Sequence, residues 1–165
     1  MSQPPPRQGQ VFAAPTVLRD RLGPRFGRID PEAIAKAEAA LKGLSSQFGQ
    51  WLQDEVTKLE AAREAIRTEG ATRATIDKLF TNAHDLKGLG ATYEFPLITR
   101  IAGSLCKLLG DGDERVSTPM ALVDAHVNTI RAAVRDNIRD SDNPIGQALA
   151  SELEKRTADY LAART

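Results

Sequence analysis

Apolar residues recur along most of the chain at spacings of three and four, which is the period of an amphipathic helix. Short stretches that contain Gly, Pro, Asp or Asn interrupt this pattern. Aromatic residues make up only 5% of the sequence, which also favours helices over sheets. The pattern therefore predicts an all-α fold with six helices, at about residues 31–44, 47–68, 72–93, 96–109, 118–139 and 145–163.

Capping and breaking residues support these boundaries. Asp30 is a good N-cap, and Pro31 suits the first helical position. Gly70 lies just past the second predicted helix, and Pro96 disfavours the helical conformation in Phe95. Because the connections are short, the middle four helices are predicted to form an up-and-down antiparallel bundle over about residues 46–140. The helices at 31–44 and 145–163 are then accessory N-terminal and C-terminal helices.

The chain of 165 residues fits one domain, with 41% hydrophobic and 27% charged residues. Residues 1–29 contain several prolines and glycines without sustained periodicity, so they are interpreted as a flexible arm. Residues 30–165 are predicted to form the single helical domain.

Several single residues carry their own expectations from the apolar pattern. Trp51 lies on the stripe of its helix and is expected in the core. His126 falls on the apolar side of its helix, which favours a hydrogen-bonded structural histidine, and Cys106 is expected to be a small buried hydrophobic residue. Apolar stripes are also predicted on the two accessory helices, formed by Ile34, Ala37, Leu41 and Leu44 and by Ile145, Leu149, Leu153, Tyr160 and Leu161.

Charge and motif content exclude several function classes. Lys plus Arg and Asp plus Glu both number 22, so there is no general electrostatic reason to expect a nucleic acid or a membrane as partner. No apolar run approaches a membrane span or a signal peptide, and the single Cys106 fits a reducing compartment, so a cytoplasmic location is expected. No glycine-rich phosphate loop, paired-cysteine metal site or supported Ser/His/Asp set is found, and neither a cofactor nor a bound metal is expected.

The most informative residues lie on the third predicted helix. His84, Lys87, Gly88 and Ala91 share one face there. Glycines inside a helix cost about 1 kcal/mol each relative to alanine, so Gly88 and the nearby Gly90 suggest that another surface approaches closely. Gly90 is better explained by a helix crossing, whereas Gly88 leaves the imidazole of His84 unshielded.

The imidazole of His84 is a candidate nucleophile on this face. Histidine forms covalent intermediates when an electrophile is delivered to it, and a phosphoryl group on His84 would bring roughly −2 charge. Lys87 is one turn away to offset that charge. Asp77, Phe80, Thr81 and Ala91 are candidates for the rim of a partner-binding surface, although Phe80 is favoured as a core residue.

The sequence His84-Asp85-Leu86-Lys87-Gly88 on the second helix of a predicted four-helix bundle resembles the histidine phosphotransfer (HPt) domains of two-component phosphorelays. The resemblance covers about residues 46–140. Three residues correspond to the core of the family motif, namely the histidine, the lysine three positions on and the glycine four positions on.

Further along, residues 93–97 leading into Ser104-Leu105-Cys106 are similar to the stand-alone members from alphaproteobacteria. Two positions depart from the family pattern. Leu89 stands where many members have Ser or Ala, and Glu94 stands where many have a second glycine. These departures concern helix packing and the choice of receiver more than the reactive residues.

The resemblance implies a phosphoryl carrier in a relay rather than an enzyme. His84 would accept a phosphoryl group from a receiver-domain aspartate and pass it to an aspartate of a response regulator. The magnesium and most catalytic groups would come from the receiver, which belongs to a hybrid histidine kinase or to a response regulator, and the carrier is expected to be a monomer.

Two alternatives remain. One is a non-catalytic helical protein-interaction module in which His84 is incidental. The other, less favoured, is a dimeric phosphotransferase with a kinase-like domain, for which no α/β segment is predicted after the helices.

Overall fold

The computed structural model describes residues 30–110, 116–139 and 143–164, and all of its regular elements are helices. The predicted all-α fold is thereby confirmed for the described residues, while the predicted arm at 1–29 lies outside them. No helix in this part of the chain is both long and apolar enough to cross a membrane. The five helices are α1 (Pro31–Glu69), α2 (Arg73–Thr92), α3 (Pro96–Leu109), α4 (Met120–Arg135) and α5 (Pro144–Ala162).

Helix α1 is longer than the sequence predicted. It begins as expected, with the Glu32 backbone N–H donating to Asp30 Oδ1 at 3.0 Å, and it ends before Gly70, which has φ +92°. The predicted break at 45–46 is wrong, because the helix is continuous there. Serine inside a helix costs well under 1 kcal/mol, and no proline interrupts the segment. The chain divides between Ala40 and Leu41 into two units, and the features described below lie in the second.

A single core of buried apolar residues holds the second unit together. Helix α5 contributes Ala150 and Leu153 to it, so the last helix packs in the same core as the others. Among the larger members with little or no exposed surface are Leu52, Leu59, Ile76, Leu79, Leu86, Phe95, Ile98, Ile101, Leu105, Leu109 and Ile130.

The buried face of α5 differs from the predicted apolar stripe. Ile145 and Leu149 are 67% and 45% exposed, whereas small residues such as Gly146 and Ala150 face inward. The reason is close packing: a Cβ at Gly146 would lie 2.7 Å from Leu97 Cδ2 on α3. Small residues let two helices approach, and this requirement outweighs the hydrophobicity of the larger side chains here.

Trp51 is not a core residue, which corrects the expectation from its helical stripe. Its neighbour Leu52 is fully buried, whereas Trp51 is 45% exposed at the edge of the stripe. The indole joins an aromatic cluster with Phe48 and Tyr93, at ring-centroid distances of 5.7 and 6.1 Å. Leu41 and Leu44, further towards the start of α1, are also exposed.

Helix α2 ends in a Schellman motif that explains the unusual residue at position 94. The Phe95 N–H donates to Gly90 O at 2.7 Å and the Glu94 N–H to Ala91 O at 3.2 Å, while Glu94 has φ +63°. This left-handed position is normally occupied by glycine. The chain therefore keeps the turn that a glycine would favour. Helix α4 ends the same way at Asn137, with φ +51°, which is why it stops before the predicted residue 139.

Replacing Glu94 by glycine is expected to raise the free energy of unfolding by about 1 kcal/mol, because it relieves a left-handed conformation that L-residues disfavour. The substitution also removes the exposed ion pair between Glu94 and Arg139 at 3.1 Å, which contributes little. Urea unfolding followed by circular dichroism measures the change. Glu94→Ala is the matched control, since it removes the ion pair and keeps the strain. An Ala variant as stable as the Gly variant would contradict the explanation.

Candidate functional site

His84 lies exposed on the outer side of α2. The inner side of this helix is buried through residues such as Ile76, Leu79 and Leu86, so the helical period turns position 84 outward. The imidazole stacks on the ring of Phe80, with centroids 6.2 Å apart and an interplanar angle of 26°. Phe80 is half-buried and packs against the core, so it is both a core neighbour and a support for the histidine ring.

Two grooves meet at His84. The first, of about 830 Å³, lies between α2, α3 and α5, and the second, of about 510 Å³, lies between α1 and α2. His84 lines both grooves. An incoming surface that enters either groove therefore reaches the imidazole.

The side chain of Lys87 extends from α2 across to α3. Its Cδ and Cε lie 3.9 and 4.0 Å from the position that a Cβ on Gly103 would occupy. Within the described residues Lys87 forms no ion pair, and its side chain is exposed. Its ammonium group is thus available to an anion bound in the first groove.

The two glycines of α2 have different surroundings, as the sequence predicted. A Cβ at Gly88 would meet nothing within 4 Å, so this position is open. A Cβ at Gly90 would lie 2.6 Å from Thr99 Oγ1 and 2.8 Å from the Thr99 backbone nitrogen. Gly90 therefore permits the close crossing of α2 and α3, and Gly88 leaves space beside His84.

Three other residues that the sequence proposed for the partner-binding surface line neither groove. Asp77 is half-buried and pairs with Arg73 at 3.8 Å, and the hydroxyl of Thr81 donates to the Asp77 carbonyl at 2.9 Å. Ala91 is exposed one turn beyond Lys87.

Helix α3 contributes groove residues that sequence reasoning missed. Gly103, Cys106 and Lys107 all line the first groove together with His84 and Lys87. Cys106 packs against the core as expected but is only half-buried, which corrects the prediction of full burial. The spacing of residues along α2 does not predict that these α3 residues line the groove, because their position depends on how α3 crosses α2.

An ion pair between Arg100 of α3 and Glu154 of α5 also lines the first groove. Arg100 Nε and Nη2 donate to the two carboxylate oxygens of Glu154, both at 2.6 Å, and the guanidinium also contacts Gln147 and Ser151. These hydrogen bonds from Arg100 lower the pKa of Glu154. The pair is bidentate and so fixes α5 against α3 at this point.

His126 is a buried structural histidine, as predicted. Its Nδ1 lies 2.8 Å from the Leu122 carbonyl, which only accepts, so Nδ1 carries the proton. Nε2 then accepts from Ser104 Oγ at 2.9 Å, and Ser104 Oγ lies 3.2 Å from Thr157 Oγ1. Burial lowers the pKa of His126. The network connects α3, α4 and α5 beneath the first groove.

The described part of the chain holds no group of three or more His, Cys, Asp or Glu side chains arranged to bind a metal ion.

In comparisons with known proteins, residues 43–159 match the family model described as "Hpt domain". No curated protein and no solved structure matches the chain. The matched region extends beyond the predicted residues 46–140 and includes most of α5.

Proposed function

Because the chain belongs to the Hpt domain family of phosphorelay phosphotransfer proteins, we propose that His84 accepts a phosphoryl group from a receiver-domain aspartate and passes it to an aspartate of a response regulator. The single observation that carries the proposal is the exposed His84 where two grooves meet, within the matched residues. In this role the protein is a phosphoryl carrier and not an enzyme.

The transfer step requires an unprotonated nitrogen of His84. That nitrogen attacks the phosphorus of the aspartyl phosphate, an N–P bond forms, and the P–O bond to the receiver breaks. The electron pair of the broken P–O bond remains on the receiver carboxylate. The second ring nitrogen of His84 keeps its proton. Transfer to a second receiver reverses the same step. The magnesium and most catalytic groups are supplied by the receiver.

Side chains around His84 have supporting roles in this proposal. Lys87 offsets the charge of the phosphoryl group as a point charge, and Gly88 leaves room for the receiver. Stacking on Phe80 restricts the orientation of the imidazole. Asp77, Thr81 and Ala91 are proposed to lie at the rim of the docked receiver.

Incubation with phosphorylated receiver domains tests the proposal. Phosphohistidine is labile in acid and stable in base, so the label transferred to this protein should show that behaviour and should map to His84 by mass spectrometry. Absence of label with a broad panel of receivers would contradict the proposal. Tight receiver binding without label would instead support the interaction module in which His84 is incidental.

A further inference from the structure

We propose that the first groove, between α2, α3 and α5, receives the acidic transfer site of the receiver domain, and that Lys107 of α3 is a specificity-determining residue for this docking. This inference rests on the proposed function of His84. It assigns docking roles to α3 and α5, in addition to the helix that carries the histidine.

Two lysines, Lys87 of α2 and Lys107 of α3, line this groove. Lys87 crosses from α2 and lies over Gly103, with its Cδ 3.9 Å from the Cβ position of that glycine. Lys107 is one helical turn beyond Gly103 on α3, so both residues present the same side of the helix. Lys87 and Lys107 thus form a cationic edge beside His84 that belongs to two helices.

The charge balance distinguishes the two grooves. The charged residues that line the first groove are Lys87, Arg100, Lys107 and one acid, Glu154. Arg100 and Glu154 pair with each other at 2.6 Å, and Lys107 also interacts electrostatically with Glu154. Three cations against one acid leave this groove with an excess of two positive charges. The second groove holds the ion pair of Lys58 and Glu55 at 2.6 Å, with Asp85 in addition. The first groove is therefore cationic and the second is slightly acidic.

The chemistry of the partner selects the cationic groove. A receiver brings an aspartyl phosphate, and it holds magnesium, which prefers carboxylate oxygens as protein ligands. Its transfer site is accordingly rich in acids. Complementary charge accelerates docking and like charges oppose it, so the acidic rim fits beside Lys87 and Lys107 better than beside Asp85.

An apolar contact completes the surface on α5. Leu161 is 38% exposed and lines the first groove together with Ala158, near the end of that helix. The groove thus continues without a break from the transfer residue on α2, across the cationic edge on α3, to an apolar wall on α5. A partner that covers Leu161 removes apolar surface from water, which favours association.

Charge reversal at Lys107 tests the inference. The rate of transfer from a phosphorylated receiver is measured against protein concentration for wild type, Lys107→Glu and Leu161→Asp. Each rate is divided by the rate at which phosphoramidate labels the same variant, which corrects for changes at His84 itself. We expect the half-saturating concentration to rise roughly fivefold or more in each variant, with a smaller change in the maximal rate.

Matched controls carry the same substitutions outside the groove. Lys78→Glu reverses an exposed lysine on α2, and Leu149→Asp replaces an exposed leucine on α5. Neither residue lines the groove, so both variants should retain the wild-type half-saturating concentration. If Lys107→Glu behaves like Lys78→Glu while wild type is labelled normally, the docking inference is wrong and the proposed function stands. If no receiver labels wild type, both are wrong.

Discussion

Replacing His84 by glutamine is expected to reduce receiver-derived phosphohistidine on this protein to background. The chain contains two histidines, and the second, His126, is fully buried. Both of its ring nitrogens are engaged, Nδ1 with the Leu122 carbonyl and Nε2 with the Ser104 hydroxyl. A receiver aspartate cannot approach such a ring, so no other histidine replaces the lost nucleophile. The measurement is acid-labile, base-stable label after incubation with a phosphorylated receiver.

The control for this experiment is an exposed substitution on the same helix. Lys78→Gln changes α2 outside both grooves and should retain the label. Circular dichroism spectra and thermal unfolding of both variants establish that the helices remain intact. Acid-labile label that persists in His84→Gln would show that the phosphoryl group is carried elsewhere.

The second large effect is expected at Gly90. An alanine there places its Cβ 2.8 Å from the backbone nitrogen of Thr99 and 3.1 Å from the Phe95 carbonyl oxygen. Backbone atoms cannot move aside as a flexible side chain can, so α2 and α3 must separate. A clash with backbone falls at the upper end of the about 1–3 kcal/mol that overpacking costs, and the gain in helix propensity of about 1 kcal/mol offsets only part of it. We expect Gly90→Ala to be net destabilising by about 2 kcal/mol, measured by urea unfolding.

Gly88→Ala is the matched control, two residues away in the same helix. Nothing lies within 4 Å of the added Cβ, so only the helix propensity changes. This variant is expected to be more stable than wild type by up to about 1 kcal/mol. Equal stability of the two alanine variants would contradict the close crossing at Gly90.

Much of the local structure follows from the sequence because it depends on short-range signals. The boundaries of α2 and α3 are set by Thr72 as N-cap, by Pro96 and by Gly110. The helical period also predicts that Gly88 leaves open space beside His84 and that Gly90 permits the close helix crossing. His126 was identified as structural because a polar residue on an apolar side must find hydrogen-bond partners.

Other features depend on which helices meet, and helical spacing does not contain that information. The inward side of α5 uses Gly146 and Ala150 because Leu97 approaches it, so the larger Ile145 and Leu149 remain outside. Trp51 lies one position from the buried Leu52, where a small rotation of the helix decides burial. No sequence pattern around Lys107 predicts that it lines the first groove. Its place beside His84 results from the crossing of α2 and α3.

The position of the Lys87 side chain beside Gly103 of α3 determines the smallest unit that reproduces the site. The lysine belongs to the same pentapeptide as His84, yet its stem lies on the neighbouring helix α3. A synthetic peptide with the sequence of α2 would contain every residue of the motif and would leave this ammonium group free to rotate in solvent. The smallest unit that keeps the ammonium group positioned near His84 is therefore the pair of α2 and α3.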